Sequence, residues 1–150
     1  MGTVAHVFAA PERGAPVASL EEVEALAGRG LRGDRYLREE NRPSPDYQVT
    51  LIELEAVEAF VRETGLPLGP GEPRRNLVTR GVRLNDLCGR HFTVGGATLE
   101  GLELCEPCRL FQSRTHPEVL RFFVHRGGLR ARIVAGGVIR PGDQIRQAST

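Results

Sequence analysis

The chain contains no lysine and no tryptophan, only one methionine, and three cysteines. Each scarcity excludes something. Without a lysine there is no side-chain amine to form a Schiff base, so lysine-anchored cofactor chemistry is closed to this chain. All 20 basic residues are arginine, in keeping with a composition also rich in Gly, Pro and Ala. Arginine also keeps its charge under all conditions and grips phosphate through a planar fork, which leaves heat adaptation and anion binding open. An odd count of Cys argues against a structural disulfide set. Only Cys105 and Cys108 have ligand-like spacing, and no second Cys-x-x-Cys or His-x-x-x-His completes a zinc site. No apolar run approaches the roughly 20 residues that span a bilayer. The N-terminus, Met1 to His6, lacks the basic and apolar regions of a signal peptide and reads as a first strand, so a cytoplasmic location is expected.

The charges nearly cancel, 20 basic against 19 acidic, where a dedicated nucleic-acid binder is strongly basic. A length of 150 residues suits one domain over 1–150 with a single core.

The apolar pattern predicts strands at Thr3–Ala10, Tyr47–Ile52 and Arg75–Arg80, and a hairpin of His91–Val94 and Ala97–Leu104 joined by Gly95-Gly96. A closing pair spans Leu129–Val134 and Val138–Arg146, with a turn at Pro141-Gly142-Asp143. Three short helices are expected. One covers Ser19–Ala27, where Ser19 and Glu22 form a capping box. The second covers Glu53–Thr64 and closes at Gly65; the third covers Thr115–Val124. Asn41–Asp46 reads as a surface loop. Many short strands with Gly and Pro turns predict a mainly β fold, a barrel with about three short peripheral helices.

Four constellations can carry chemistry. Cys105-Glu106-Pro107-Cys108-Arg109 places a cation beside a thiol, which favours the reactive thiolate. That thiolate suits a persulfide carrier, a metal ligand or a disulfide cycle; otherwise the pair are small apolar residues at a strand end. Cys88 reads as buried packing. Arg74-Arg75-Asn76-Leu77-Val78-Thr79 offers guanidinium forks and hydrogen-bond donors to an anion. Strand alternation would put Arg75 with Leu77 on one face and Arg74, Asn76 and Val78 on the other; a solvated edge strand is the alternative. In His125-Arg126-Gly127-Gly128-Leu129-Arg130 the glycines permit close backbone approach to a ligand, or simply cap a helix. Asp34-Arg35, in a glycine-rich loop, fits a loop-stabilising ion pair. His6, His91 and His116 sit in separate segments and read as structural.

Taken in order, several segments resemble the MOSC family, named for the C-terminal domain of molybdenum-cofactor sulfurase. They are Gly33-Asp34-Arg35-Tyr36, Gln48–Glu53, Arg74–Gly81, Leu84–Leu87, Gly89–Phe92, Cys105–Cys108, His125–Arg132 and Gly142-Asp143. The resemblance implies a MOSC-type β-barrel. It also implies a cysteine that carries sulfur as a persulfide or meets the molybdenum of a pterin cofactor. By that match Cys108 is the functional thiol and the metal ligand, with Cys105 as an extra thiol beside it. Arg75, Asn76 and Thr79 match the cofactor-side strand, with Arg74 beside them as an expected phosphate clamp, and Arg126, Gly127, Gly128 and Arg130 match the later Gly-rich segment. Asp34 and Arg35 join the expected cofactor-binding set. The implied ligand is molybdenum cofactor (molybdopterin) or a related pterin-phosphate.

Pyridoxal phosphate, used by larger relatives, has no lysine here to hold it, so a sulfur donor or a reductase protein is expected from elsewhere. Two other functions stay open: a molybdenum-dependent reductase of N-hydroxylated compounds, and a thiol-disulfide module on Cys105 and Cys108. No nucleic-acid or membrane partner is expected.

Overall fold

A computed structural model describes residues 2–12, 14–37, 48–107 and 109–148, leaving aside the side chains at 109 and 110. The expected Asn41–Asp46 loop, Tyr47 and Cys108 lie outside the described residues, as does the side chain of Arg109.

Among the described residues eleven strands form two sheets. They are β1 (Gly2–Ala9), β2 (Ala18–Ser19), β3 (Val23–Leu26), β4 (Gly30–Leu31), β5 (Val49–Glu53), β6 (Leu77–Arg80), β7 (His91–Val94), β8 (Ala97–Leu104), β9 (Leu129–Ala135), β10 (Gly137–Ile139) and β11 (Gln144–Gln147). Three helices accompany them: α1 (Leu54–Thr64), α2 (Arg109–Arg114) and α3 (Val119–Phe122). Leu84–Leu87 makes one turn of 3-10 helix.

Seven strands close into a barrel in the order β1, β11, β7, β8, β9, β5, β6 and back to β1, with β2 as an outer extension of β1. A ring with an odd number of strands cannot be antiparallel throughout. Among the described residues the parallel strand pair of the ring is β5 with β6, and α1 supplies the crossover such a pair requires. The helix starts where Glu53 leaves the strand and stops at Gly65, whose φ of 74° is the left-handed cap that glycine provides cheaply.

Strand alternation builds two cores. Leu51, Leu77, Phe92, Leu99, Leu129 and Ile145 point into the barrel. Ile52 and Val78, their neighbours on the opposite face, pack outward under Val57 and Phe60 of α1 and Phe111 and Phe123 near α2 and α3. β5 and β6 are therefore buried on both faces, which explains the adjacent apolar pairs Leu51-Ile52 and Leu77-Val78.

The expected helix at Ser19–Ala27 is instead β2 and β3. A segment of nine residues is marginal as an isolated helix. As a strand it buries Val23 and Ala25 and pairs with β10 through Gly137↔Ala25 and Ile139↔Val23. The expected helix at Thr115–Val124 shrinks to α3. It is preceded by α2, where the Thr115 hydroxyl donates to the Phe111 carbonyl at 2.6 Å. The segment Val138–Arg146 divides: β10 joins β3 in a second, three-stranded sheet, and β11 closes the barrel. No helix among the described residues is long and apolar enough to cross a membrane.

Candidate cofactor site

The site gathers where the chain enters β6. Residues 71–74 turn back on themselves, with the Arg74 amide donating to the Gly71 carbonyl at 3.1 Å and Arg74 at a φ of 64°. A left-handed residue interrupts the pleat, and the strand proper begins only at Leu77. The expected alternation of Arg74 and Arg75 across a strand therefore does not apply; the turn sends the two guanidinium groups to different neighbours.

Asn76 and Asp34 bind each other. The Asn76 amide nitrogen donates to Asp34 Oδ1 and to the Phe8 carbonyl, both at 3.2 Å. Its amide oxygen accepts from the Thr50 backbone and hydroxyl at 3.0 and 3.2 Å. Asp34 Oδ1 also accepts from the Ala10 amide at 3.0 Å and from Arg35 Nη1 at 3.3 Å, and Oδ2 accepts from the Tyr36 amide at 3.2 Å. Both side chains are buried and tie the Gly33–Tyr36 loop to β1, β5 and the start of β6. Arg35 lies over the Tyr36 ring at 4.3 Å and reaches the Arg74 carbonyl at 3.5 Å.

Arg75 is a buried clamp. Nε donates to the Gly127 carbonyl at 2.9 Å, Nη1 to the Pro73 carbonyl at 3.1 Å and Nη2 to the Glu106 carbonyl at 3.4 Å. It thus joins two of the sequence motifs, the Gly-Gly segment and the segment leading to Cys108. The Cys105 amide donates to the Gly128 carbonyl at 2.7 Å. A Cβ on Gly127 would stand 2.1 Å from the Cys105 carbonyl oxygen, and one on Gly128, at a φ of 112°, would stand 1.8 Å from the Leu51 carbonyl oxygen. The close approach these glycines permit is therefore to other backbone. Cys105 itself is 3% exposed. Glu106 holds the neighbouring turn: its carboxylate accepts from the His125 amide at 2.9 Å, and His125 has a φ of 60°.

Arg74 faces a cavity of about 360 Å³ lined by Phe8, Pro16, Val17, Gly71, Glu72, Arg114 and Thr115. Its Nη1 donates to the Ala15 carbonyl, while Nη2 is buried with no hydrogen-bond partner among the described residues. Arg74 is 8% exposed. Burial, and then the neighbouring positive charges of Arg35 and Arg114, pull its pKa below the ordinary arginine value. Glu72 is the acidic group on the cavity wall, and one of its oxygens already accepts from the Gly69 amide at 2.7 Å. The balance around Arg74 favours an anion.

Other expected residues lie apart from this cavity's lining. Thr79 is fully buried and its hydroxyl donates to the Ile52 carbonyl at 3.3 Å. Arg126 is exposed and stacks on Phe122 at 4.6 Å, and Arg130 pairs with Glu103 at 3.0 Å. Cys88, expected as buried packing, is exposed, with its sulfur 3.4 Å from the Leu102 carbonyl. It sits past the 3-10 turn, whose buried residues are Leu84 and Leu87. Sequence reasoning missed Arg114. Its one local signal is that it ends the helix that begins at the residue after Cys108.

A closed barrel with a buried arginine beside a part-apolar cavity defines a small β-barrel protein with a candidate anion site. A profile for the MOSC domain matches residues 38–146, and the chain belongs to that family, which is linked to molybdenum-cofactor function. Among solved structures it is similar to YuaD from Bacillus subtilis, with a TM-score of 0.79 at 17% identity, covering 100% of this chain and 98% of that one. YiiM from Geobacillus stearothermophilus gives 0.79 at 14% identity, covering 99% and 76% of the two chains. YiiM from Escherichia coli gives 0.71 at 19% identity, covering 100% and 71%. At these identities the likeness shows the fold. No curated protein matches the chain in sequence.

Proposed function

We propose that this protein binds molybdenum cofactor, or a related pterin-phosphate, with its anionic end in the Arg74 cavity, and uses Cys108 as a sulfur carrier or metal ligand. One observation carries the reading: Arg74 lines a cavity, and its buried Nη2 has no hydrogen-bond partner among the described residues. Leaving such a donor unpaired is costly, and a phosphate oxygen satisfies it with a charge-assisted bond. Arg114 lines the same cavity and Arg35 adds positive charge nearby. Phe8 and Val17 offer apolar wall to the body of the ligand. The volume lies in the range typical of small-molecule sites.

The residues divide into holding and supporting roles. Arg74 and Arg114 would hold the anion. Asp34, Asn76 and Arg75 fix the backbone around them. When bound, the cofactor would supply a metal centre able to accept sulfur or take part in redox chemistry. The external sulfur donor or reductase would be a separate protein. Cys105 is too buried to meet an external thiol without rearrangement, which favours a single working thiol over a disulfide cycle.

Metal analysis and pterin fluorescence on protein purified from a cofactor-competent host test the reading. Molybdenum and pterin are expected to copurify and to fall at least tenfold in Arg74→Ala. The intact mass is expected to show a gain of about 32 Da, one sulfur atom, that Cys108→Ser removes if Cys108 carries persulfide. Absence of metal, pterin and mass gain from the native chain would sink the proposal.

A further inference from the structure

The arginines of the cavity are partly engaged by the chain itself. Arg74 Nη1 donates to the Ala15 carbonyl, and Arg114 Nη2 donates to the carbonyl of the preceding residue, Gly14. Two adjacent backbone oxygens thus face two guanidinium groups, much as two oxygens of one phosphate would. The same segment continues through Pro16 and Val17, which line the cavity.

Beyond the arginines the segment is lightly tethered. β2, which follows it, is two residues long, and both are exposed. β2 pairs with β1 through Phe8↔Ser19 and Ala9↔Ala18, and the Leu20 amide just beyond it donates to the Val7 carbonyl at 2.8 Å. The Ala15 amide turns back to the Glu12 carbonyl at 3.1 Å. Val17 packs over Gly71 and Phe8; a Cβ on Gly71 would lie 3.2 Å from Val17 and 3.1 Å from the Phe8 ring.

A carbonyl is a neutral acceptor, whereas a phosphate oxygen is charged and pairs with arginine in a fork-to-fork ion pair, the stronger of the two bonds. We infer that the Gly14–Val17 segment is a strap that occupies the anion site in the free protein and is exchanged for the ligand's phosphate. The phosphate takes the Arg74 and Arg114 donors, the Gly14 and Ala15 carbonyls pass to water, and the cavity mouth opens. A neutral ligand makes no such exchange, so the strap selects for phosphate-bearing molecules. The inference rests on the anion-binding reading of the same cavity and adds a competitor built into the chain.

The test uses the full chain, inorganic phosphate as the probe, and two readouts: phosphate affinity by calorimetry, and amide hydrogen exchange over residues 14–19. In the native chain, phosphate is expected to speed exchange of these amides severalfold while β6 amides stay protected. Deleting Gly14 and Ala15 removes the competing carbonyls and is expected to tighten phosphate binding about tenfold. Arg114→Ala, which removes one anchor, is expected to speed strap exchange without any phosphate; it serves as the second variant if the deletion does not fold. Phosphate binding to the deletion variant alone also supports the strap, since the native strap then outcompetes the probe. Phosphate binding with strap exchange unchanged, or equal affinity in the native and deleted chains, overturns the strap and leaves the anion site standing. Absence of phosphate binding in both the native and the variant chains overturns the strap together with the anion reading.

Discussion

Arg75 shows how much structure one buried side chain can hold. Its three donors satisfy carbonyls from three segments that are distant in sequence. Arg75→Ala would leave those carbonyls short of partners inside a packed region. It is expected to lower stability by about 2–4 kcal/mol, read as a shift in the urea midpoint with the slope retained. Arg75→Lys is expected to recover only part of this, because one ammonium cannot reach three diverging oxygens. In the sequence Arg74 and Arg75 are equivalent neighbours in an arginine-rich motif. What separates them is a left-handed backbone at Arg74, and no residue type signals that conformation except glycine or asparagine. The sequence therefore singles out the motif, while the division into a cavity-lining Arg74 and a structural Arg75 was not legible in it. Asp34 and Arg35 do form the ion pair that the sequence suggested.

At the scale of elements, β5, α1 and β6 form the unit on which the site is hung, and its joint is Glu53. That carboxylate caps the Leu84 amide at 3.1 Å from a half-buried position, and burial raises its pKa above the ordinary 4.5. A raised carboxylate contributes its full stability below the ordinary glutamate value and loses it as pH rises through the folded value. Glu53→Gln is therefore expected to be slightly more stable than the native chain at pH 7, with the difference closing near pH 4. The gain stays below about 1 kcal/mol because solvent screens a half-exposed group. Unfolding curves at the two pH values check it. The α1 boundaries were readable because an acidic start, a periodic apolar face and a closing Gly65 all agree. The Ser19–Ala27 segment gave conflicting signals. Leu20, Val23 and Ala27 fit a helical face, while Val23 and Ala25 fit an alternating one. Pairing with β10, more than 100 residues later, decided between them. That information is not local to the segment.

For the whole molecule, closure of the ring depends on a seam between the first and last strands. The seam is short: Gly2↔Ile145 and Thr3↔Gln144, with the Val4 amide on the Asp143 carbonyl at 2.9 Å. Ile145 is fully buried in the barrel interior. Ile145→Ala is expected to cost about 2–5 kcal/mol, through lost burial and a cavity at the seam. Calorimetry should show a single transition at lower temperature. A split transition, with part of the barrel melting separately, would mean the seam is not needed to hold the rest together. The barrel class was legible because frequent Gly and Pro turns between short apolar runs leave few other ways to bury so many strands. The order of strands around the ring was not, since it is set by pairings across the full chain.

The seam also sets a clock for synthesis. β1 is made first, and its partner β11 follows roughly 140 residues later, a delay on the order of 10–30 s at ordinary translation speeds. Until β11 is made, one edge of β1, and one edge of β7 once it has formed, wait without their final partner. An open strand edge will pair with any extended chain that meets it. Closing both edges at once is thus the task that falls to residues 144–147 in each new copy.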